Sequence, residues 1–142
     1  MKALPDVNVL IALLDEDHPH HDTAANWFVL NSELGWATCP LTQNGCIRIL
    51  SQTRYPNSLS IGEVVEGLRA VTLIKSHEFI ADDVSLLNQG VVDVSSISSH
   101  RQLTDIYLLA LAVEHDMRFV TLDRGVRLEA VSGASAERLV VI

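Results

Sequence analysis

Apolar and polar positions along this chain change period several times, and each change predicts an element. Lys2 to Pro5 reads as a short strand that stops at Asp6 and hands over to an apolar helical segment, Val7 to Leu14. After a polar turn from Asp15 to His20, the residues His21, Ala24, Ala25, Phe28 and Val29 recur at i, i+3, i+4, i+7 and i+8, the period of an amphipathic helix. Trp36 to Thr38 predicts a second strand. Pro40 then suits the first position of a helix running to about Ser51. Tyr55-Pro56-Asn57-Ser58 is a loop, and Ser60 with Glu63 forms a capping box. Behind it Ile61, Val64, Val65 and Leu68 make one helix face. Phe79-Ile80 predicts a short strand, whereas residues 82–99 show no period. Gln102 to His115 is helical, and its stretch from Ile106 to Val113 is apolar nearly all round, as in a deeply buried helix. Arg118 to Thr121 predicts a strand, Asp123-Arg124-Gly125 a turn, and Arg138 to Ile142 a final strand. Strands separated by helices predict one three-layer α/β domain over residues 1–142, its mainly parallel central sheet flanked by helices.

Composition narrows the class. Hydrophobic residues make up 48% of the chain, yet charged or polar groups interrupt every apolar run before the ~20 residues of a membrane span. Pro5 and Asp6 come too early for a signal-peptide core, so the expectation is a cytoplasmic protein with no membrane association. The apolar surplus points instead to a surface covered by a partner. Cys39 and Cys46 are too few for a disulfide framework and have no metal-motif spacing, so both read as buried thiols. Net charge is −8, from 18 acidic and 10 basic residues. That excludes a protein whose whole surface grips nucleic acid. It leaves room for a nuclease whose acids gather at a cation site, and it suits a basic protein partner.

In a parallel α/β sheet, ligands collect beyond the carboxyl ends of the strands. Asp6 ends the first strand, Asp123 follows the Arg118 to Thr121 strand, and Asp105 begins the buried helix. Singly, each has an ordinary explanation: a helix cap, a turn, or a complement to the helix dipole. Together, three converging carboxylates repel one another and call for a divalent cation. Hard oxygen ligands suit Mg²⁺ or Mn²⁺, which also bind phosphate oxygens.

The ordered motifs carry a family resemblance. Pro5-Asp6-Val7-Asn8-Val9-Leu10 resembles the first motif of PIN-domain proteins, and His18 to Phe28 resembles the entry to the second helix of VapC-type toxins. Leu103-Thr104-Asp105-Ile106-Tyr107-Leu108-Leu109-Ala110 is similar to the third motif and Phe119-Val120-Thr121-Leu122-Asp123 to the fourth. The resemblance implies a PIN-like fold and a metal-dependent endoribonuclease, the toxin of a type II toxin–antitoxin pair. It further implies Mg²⁺ or Mn²⁺ as cofactor, RNA as substrate, a cognate antitoxin, and a homodimer. On that basis Asp6, Asp105 and Asp123 are the catalytic and metal residues, with Asn8 and Thr121 orienting them. Arg48, Arg101 and Arg124 are candidates for RNA-phosphate contact, with structural ion pairs or solvated positions as the alternative.

One position departs from the family pattern. Its members carry a glutamate three residues before an arginine on the helix after the second strand. Arg48 fits the arginine, and Gly45 then stands where the acid is expected. Gln43 or Asn44 could supply a neutral oxygen instead, or water could fill the gap. One carboxylate fewer weakens cation binding. The rival expectation is therefore a non-catalytic or weakened PIN-fold module that binds RNA or protein; a phosphatase or flap-type DNA nuclease using the same carboxylates is a more distant one. His18, His20 and His21 read as a solvated turn rather than a metal cluster, and Trp27 and Trp36 as core or interface.

Overall fold

The computed structural model describes residues 1–142. Five strands, β1 (Ala3–Pro5), β2 (Trp36–Thr38), β3 (His77–Phe79), β4 (Arg118–Thr121) and β5 (Leu139–Val141), form one sheet in the order β3-β2-β1-β4-β5. Every pairing is parallel. The helices are α1 (Val7–Leu14), α2 (His21–Asn31), α3 (Pro40–Leu50), α4 (Ile61–Thr72) and α5 (Leu103–Glu114).

Alternation along the strands builds three layers. Trp36 faces a core made by Leu10 and Ile11 of α1, Cys46 and Leu50 of α3, and Val64 and Leu68 of α4. Leu4, Ala37 and Phe119 face the opposite core, which surrounds α5. Leu108, Leu109 and Leu111 of α5 are fully buried, as the unbroken apolar run predicts. Truncating any of them to alanine costs about 2–5 kcal/mol. Both cysteine thiols are buried and unpaired, and burial pushes Cys39 up to about 11 and Cys46 up to about 12. Ser60 and Glu63 form the expected capping box, the Ser60 hydroxyl accepting from the Glu63 N–H and the Glu63 carboxylate from the Ser60 N–H.

Some expectations need correction. The third strand is His77–Phe79 rather than Phe79-Ile80, because pairing of Trp36 with His77 and Thr38 with Phe79 sets it. It lies at the sheet edge, where polar residues are tolerated and no apolar run is needed. Val29 is 75% exposed and Ile61 64% exposed, although both lie in phase with buried residues. Only Ala24 of α2 is fully buried, and Phe28 meets Trp36 edge-on with ring centroids 5.0 Å apart. α2 packs chiefly on α1, so a narrow strip suffices and Val29 falls outside it.

The order of the strands decides where a site can lie. The chain runs outward from β1 through β2 to β3, then crosses to β4 on the other side of β1. The crevice between the ends of β1 and β4 is therefore the topological switch point of the sheet.

Candidate active site

Asp6 and Thr121 stand side by side at this switch point, because Pro5 pairs with Val120 and the Asp6 N–H donates to the Val120 carbonyl at 2.8 Å. Asp6 is 4% exposed. One carboxylate oxygen accepts from the Val7 N–H at 2.7 Å, capping α1, and the other accepts from the Thr121 hydroxyl at 2.8 Å. The cap fixes the orientation of the carboxylate that faces the crevice.

Thr121 is the hub. Its Oγ1 donates to Asp6 and accepts from the Asn8 side-chain amide at 3.3 Å and from the Asp123 N–H at 3.1 Å. Asn8 Oδ1 in turn accepts from the Leu122 N–H at 3.3 Å. Asp123 is held by its own turn, where Oδ1 accepts from the Gly125 N–H at 2.7 Å.

Asp105 arrives from the other core. It is the third residue of α5, and its carboxyl lies within hydrogen-bonding reach of both Asp6 and Asp123. Burial first, then the charges of Asp6 and Asp123, push it up to about 7. Burial also raises Asp6, against the donors Thr121 and Val7. Asp6 and Asp105 therefore resist ionising together. The site offers them no lysine or arginine ion pair, the five ion pairs of the protein lying elsewhere. By their chemistry these oxygen donors suit a hard divalent cation, whose charge would remove the repulsion, while no three of the acids already stand in metal-holding geometry.

The crevice opens into a cleft of about 370 Å³ that brings Asp6, Asn8, Asp105 and Asp123 together with Arg48 and Arg101. Arg124 is not among its lining residues and is exposed on the turn. Arg127, which sequence reasoning missed, lines an adjoining pocket of about 230 Å³ with Arg101, Asp105 and Asp123. It sits in an irregular loop where no periodicity could single it out. Leu41 and Ile49 also line the cleft, and their i−4 and i+4 spacing from Gly45 is a signal that could have found them.

Gly45 does face the cleft, four residues beyond Leu41, but its lack of a side chain has a packing reason. A Cβ there would lie 2.9 Å from Val7 Cγ2 and 3.3 Å from Val7 Cγ1. Glycine lets α3 approach the start of α1. Neither neutral substitute takes over: Gln43 Nε2 donates to Thr38 Oγ1 at 2.9 Å, and Asn44 is exposed beside Ile47 and Arg48. The histidines of the turn are engaged locally, His18 Nδ1 accepting from the His20 N–H and His21 Nδ1 lying 2.8 Å from the Ala12 carbonyl. Trp36 is core, and Trp27 is half-buried.

An all-parallel five-stranded sheet with acids gathered at its switch point, beside the N-terminus of a buried helix, has the architecture of a PIN-like nuclease. The family model for the PIN domain matches residues 3–133, and the chain belongs to that family. It is 48% identical over 142 residues to Ribonuclease VapC44 of Mycobacterium tuberculosis, covering 100% of both chains. It is 43% identical over 125 residues to Ribonuclease VapC38 of the same organism, covering 87% of this chain and 86% of that one. Among solved structures, VapC20 of M. tuberculosis, described as a sarcin-ricin loop cleaving toxin, aligns with a TM-score of 0.60 at 12% identity, over 84% of this chain and 87% of that chain. VapBC2 of Rickettsia felis, bound to a DNA fragment from its promoter, aligns with a TM-score of 0.58 at 13% identity, over 87% of this chain and 89% of that chain. These two likenesses support the fold.

Proposed function

We propose that Asp6, Asp105 and Asp123 are the catalytic and metal-holding centre of a ribonuclease that hydrolyses RNA phosphodiesters, with Mg²⁺ or Mn²⁺ as the cation. The chain is an endoribonuclease of the VapC type, the toxin half of a toxin–antitoxin pair. Ribonucleases of this family depend on a divalent metal. The observation that carries the assignment is the convergence of three carboxyls, two of them raised by burial and mutual repulsion, at one switch point. A cation held there supplies positive charge that neutralises the cluster and stabilises charge developing on phosphate oxygens.

The chain's own groups do the rest. Thr121 and the Val7 N–H hold the Asp6 carboxylate in one orientation, and Asn8 locks Thr121. Asp105, held within reach of both neighbours, is placed to take a proton from an attacking water. Arg48 and Arg101 flank the acids and can hold the phosphates on either side of the broken bond. Residues 1–142 act as one domain in this reading.

The partner reading is a homodimer, bound by an antitoxin segment that lays an arginine toward the carboxylates. The exposed apolar residues Val29, Leu30, Leu34 and Leu73 support a surface made for association. No helix is long and apolar enough to cross a membrane, and the proposed setting is the cytoplasm. Sedimentation at micromolar concentration tests the dimer.

The decisive experiment replaces Asp105 with Asn, which removes charge and keeps shape. Metal-dependent RNA cleavage should be abolished in a variant that still melts cooperatively, and EDTA should silence the wild type equally. An unchanged rate in the folded variant would overturn the assignment.

A further inference from the structure

Beside the catalytic cleft lies a second pocket, of about 290 Å³, walled by Leu41, Leu86, Leu103, Tyr107, Thr104 and Asp82. It adjoins the cleft, since Leu41 and Thr104 line both and Thr104 is next to Asp105 in the chain. Three leucines and a tyrosine ring form its apolar surface. The one charged group, Asp82, is fixed in place: its Oδ2 accepts from the Leu41 N–H at 3.0 Å, at the start of α3.

We infer that this pocket is the base subsite of the ribonuclease and that it takes guanine. The inference rests on the reading of the three aspartates as an RNA-cleaving centre. A nucleotide whose phosphate lies in the cleft places its base in an adjoining recess, and an apolar recess with one aromatic ring suits a base face. A carboxylate only accepts hydrogen bonds, so it selects a base edge made of donors. Guanine is the RNA base that presents two adjacent donors, N1–H and N2–H, to such a group. In a protein of net charge −8, another carboxylate beside the RNA path repels the phosphates, and a donor edge of a base gives Asp82 a use there. The Leu41 N–H occupies Oδ2, and the Cys39 thiol lies beside the same carboxylate, so Oδ1 is the oxygen that would meet that edge.

The test uses the full chain with Mn²⁺ and single-stranded RNA oligonucleotides that differ at one position beside the cleaved bond, carrying G, A, C, U or inosine. Inosine keeps N1–H and lacks the N2 amino group. The wild type should cut the guanine substrate best, and inosine should lower kcat/KM. Asp82→Asn retains an amide oxygen for the Leu41 N–H, and should lower kcat/KM on guanine by roughly 10- to 100-fold while flattening preference among bases. Tyr107→Leu should raise KM for all of them. Asp105-dependent cleavage that ignores both the inosine swap and Asp82→Asn overturns the subsite and leaves the ribonuclease reading intact. Absence of cleavage by the wild type overturns both. Should Asp82→Asn fail to fold, the inosine comparison still decides, because it needs no variant. Equal cutting of guanine and inosine, with antitoxin inhibition lost in Asp82→Asn, would assign the pocket to the protein partner and overturn the inference.

Discussion

The hydroxyl of Thr121 donates to Asp6 Oδ2 at 2.8 Å across 115 positions of sequence, tying the end of β4 to the end of β1. The same oxygen accepts from Asn8 and from the Asp123 N–H, so one threonine orders three groups of the site. Thr121→Val keeps the shape and removes every one of these bonds. Asp6 is left buried with one donor fewer, and stability should fall by about 1–3 kcal/mol in metal-free protein. Cleavage should fall with it, and Thr121→Ser should restore much of both. Thermal melting beside an RNA-cleavage assay checks this, and a Thr121→Val variant as active as wild type would remove Thr121 from the site.

Gly45 and Val7 set the fate of a restored acid. Gly45→Glu alone drives its Cβ against Val7, so the metal-free variant should be destabilised despite the gain in helix propensity over glycine. Val7→Ala removes the two methyl carbons that stand in the way. The double variant Val7→Ala/Gly45→Glu should fold and bind Mn²⁺ more tightly than Val7→Ala, seen as a larger metal-induced rise in melting temperature. Equal metal response in the two would mean that residue 45 does not reach the cation.

The three arginines should separate. Arg48 and Arg101 line the cleft, whereas Arg124 does not. Arg48→Ala and Arg101→Ala should each weaken RNA binding and reduce the salt slope by about 1, with little dependence on sequence. Arg124→Ala should leave the slope unchanged. Titration of an Asp105→Asn background with RNA at several salt concentrations measures this without cleavage.

His77 should give the fold an acid-side sensitivity. Gln43 donates to Thr38 Oγ1 at 2.9 Å, and Thr38 Oγ1 lies 2.9 Å from His77 Nε2. Burial lowers His77 from its ordinary value of about 6.5, with the Glu78 charge opposing. The folded state therefore holds this proton less tightly than the unfolded chain. Its contribution is complete above about pH 6.5 and is lost as pH falls toward the folded value. His77→Gln should flatten that part of the stability profile relative to wild type in metal-free protein. A difference between the two that does not vary between pH 7 and 5 would show that His77 does not titrate with folding.

Much of the candidate site was legible in the sequence because strand ends announce themselves. Asp6 follows a short apolar stretch, Asp123 follows another, and the unbroken apolar run after Asp105 leaves no alternative to a buried helix. Local patterning sets those features, and the residues that carry them lie close together in the chain. Convergence is different in kind. That Asp105 reaches Asp6 and Asp123 depends on β4 crossing beside β1, and on α5 beginning at the carboxyl end of these same strands. The role of Gly45 followed only from the approach of α3 to Val7, and the exposure of Val29 and Ile61 only from which layers cover α2 and α4. β3 escaped its sequence boundaries because an edge strand is defined by the partner it pairs with rather than by its own hydropathy. Periodicity specifies which face of an element seeks burial; only packing against distant segments decides which residues of that face meet a neighbour, a cleft or water.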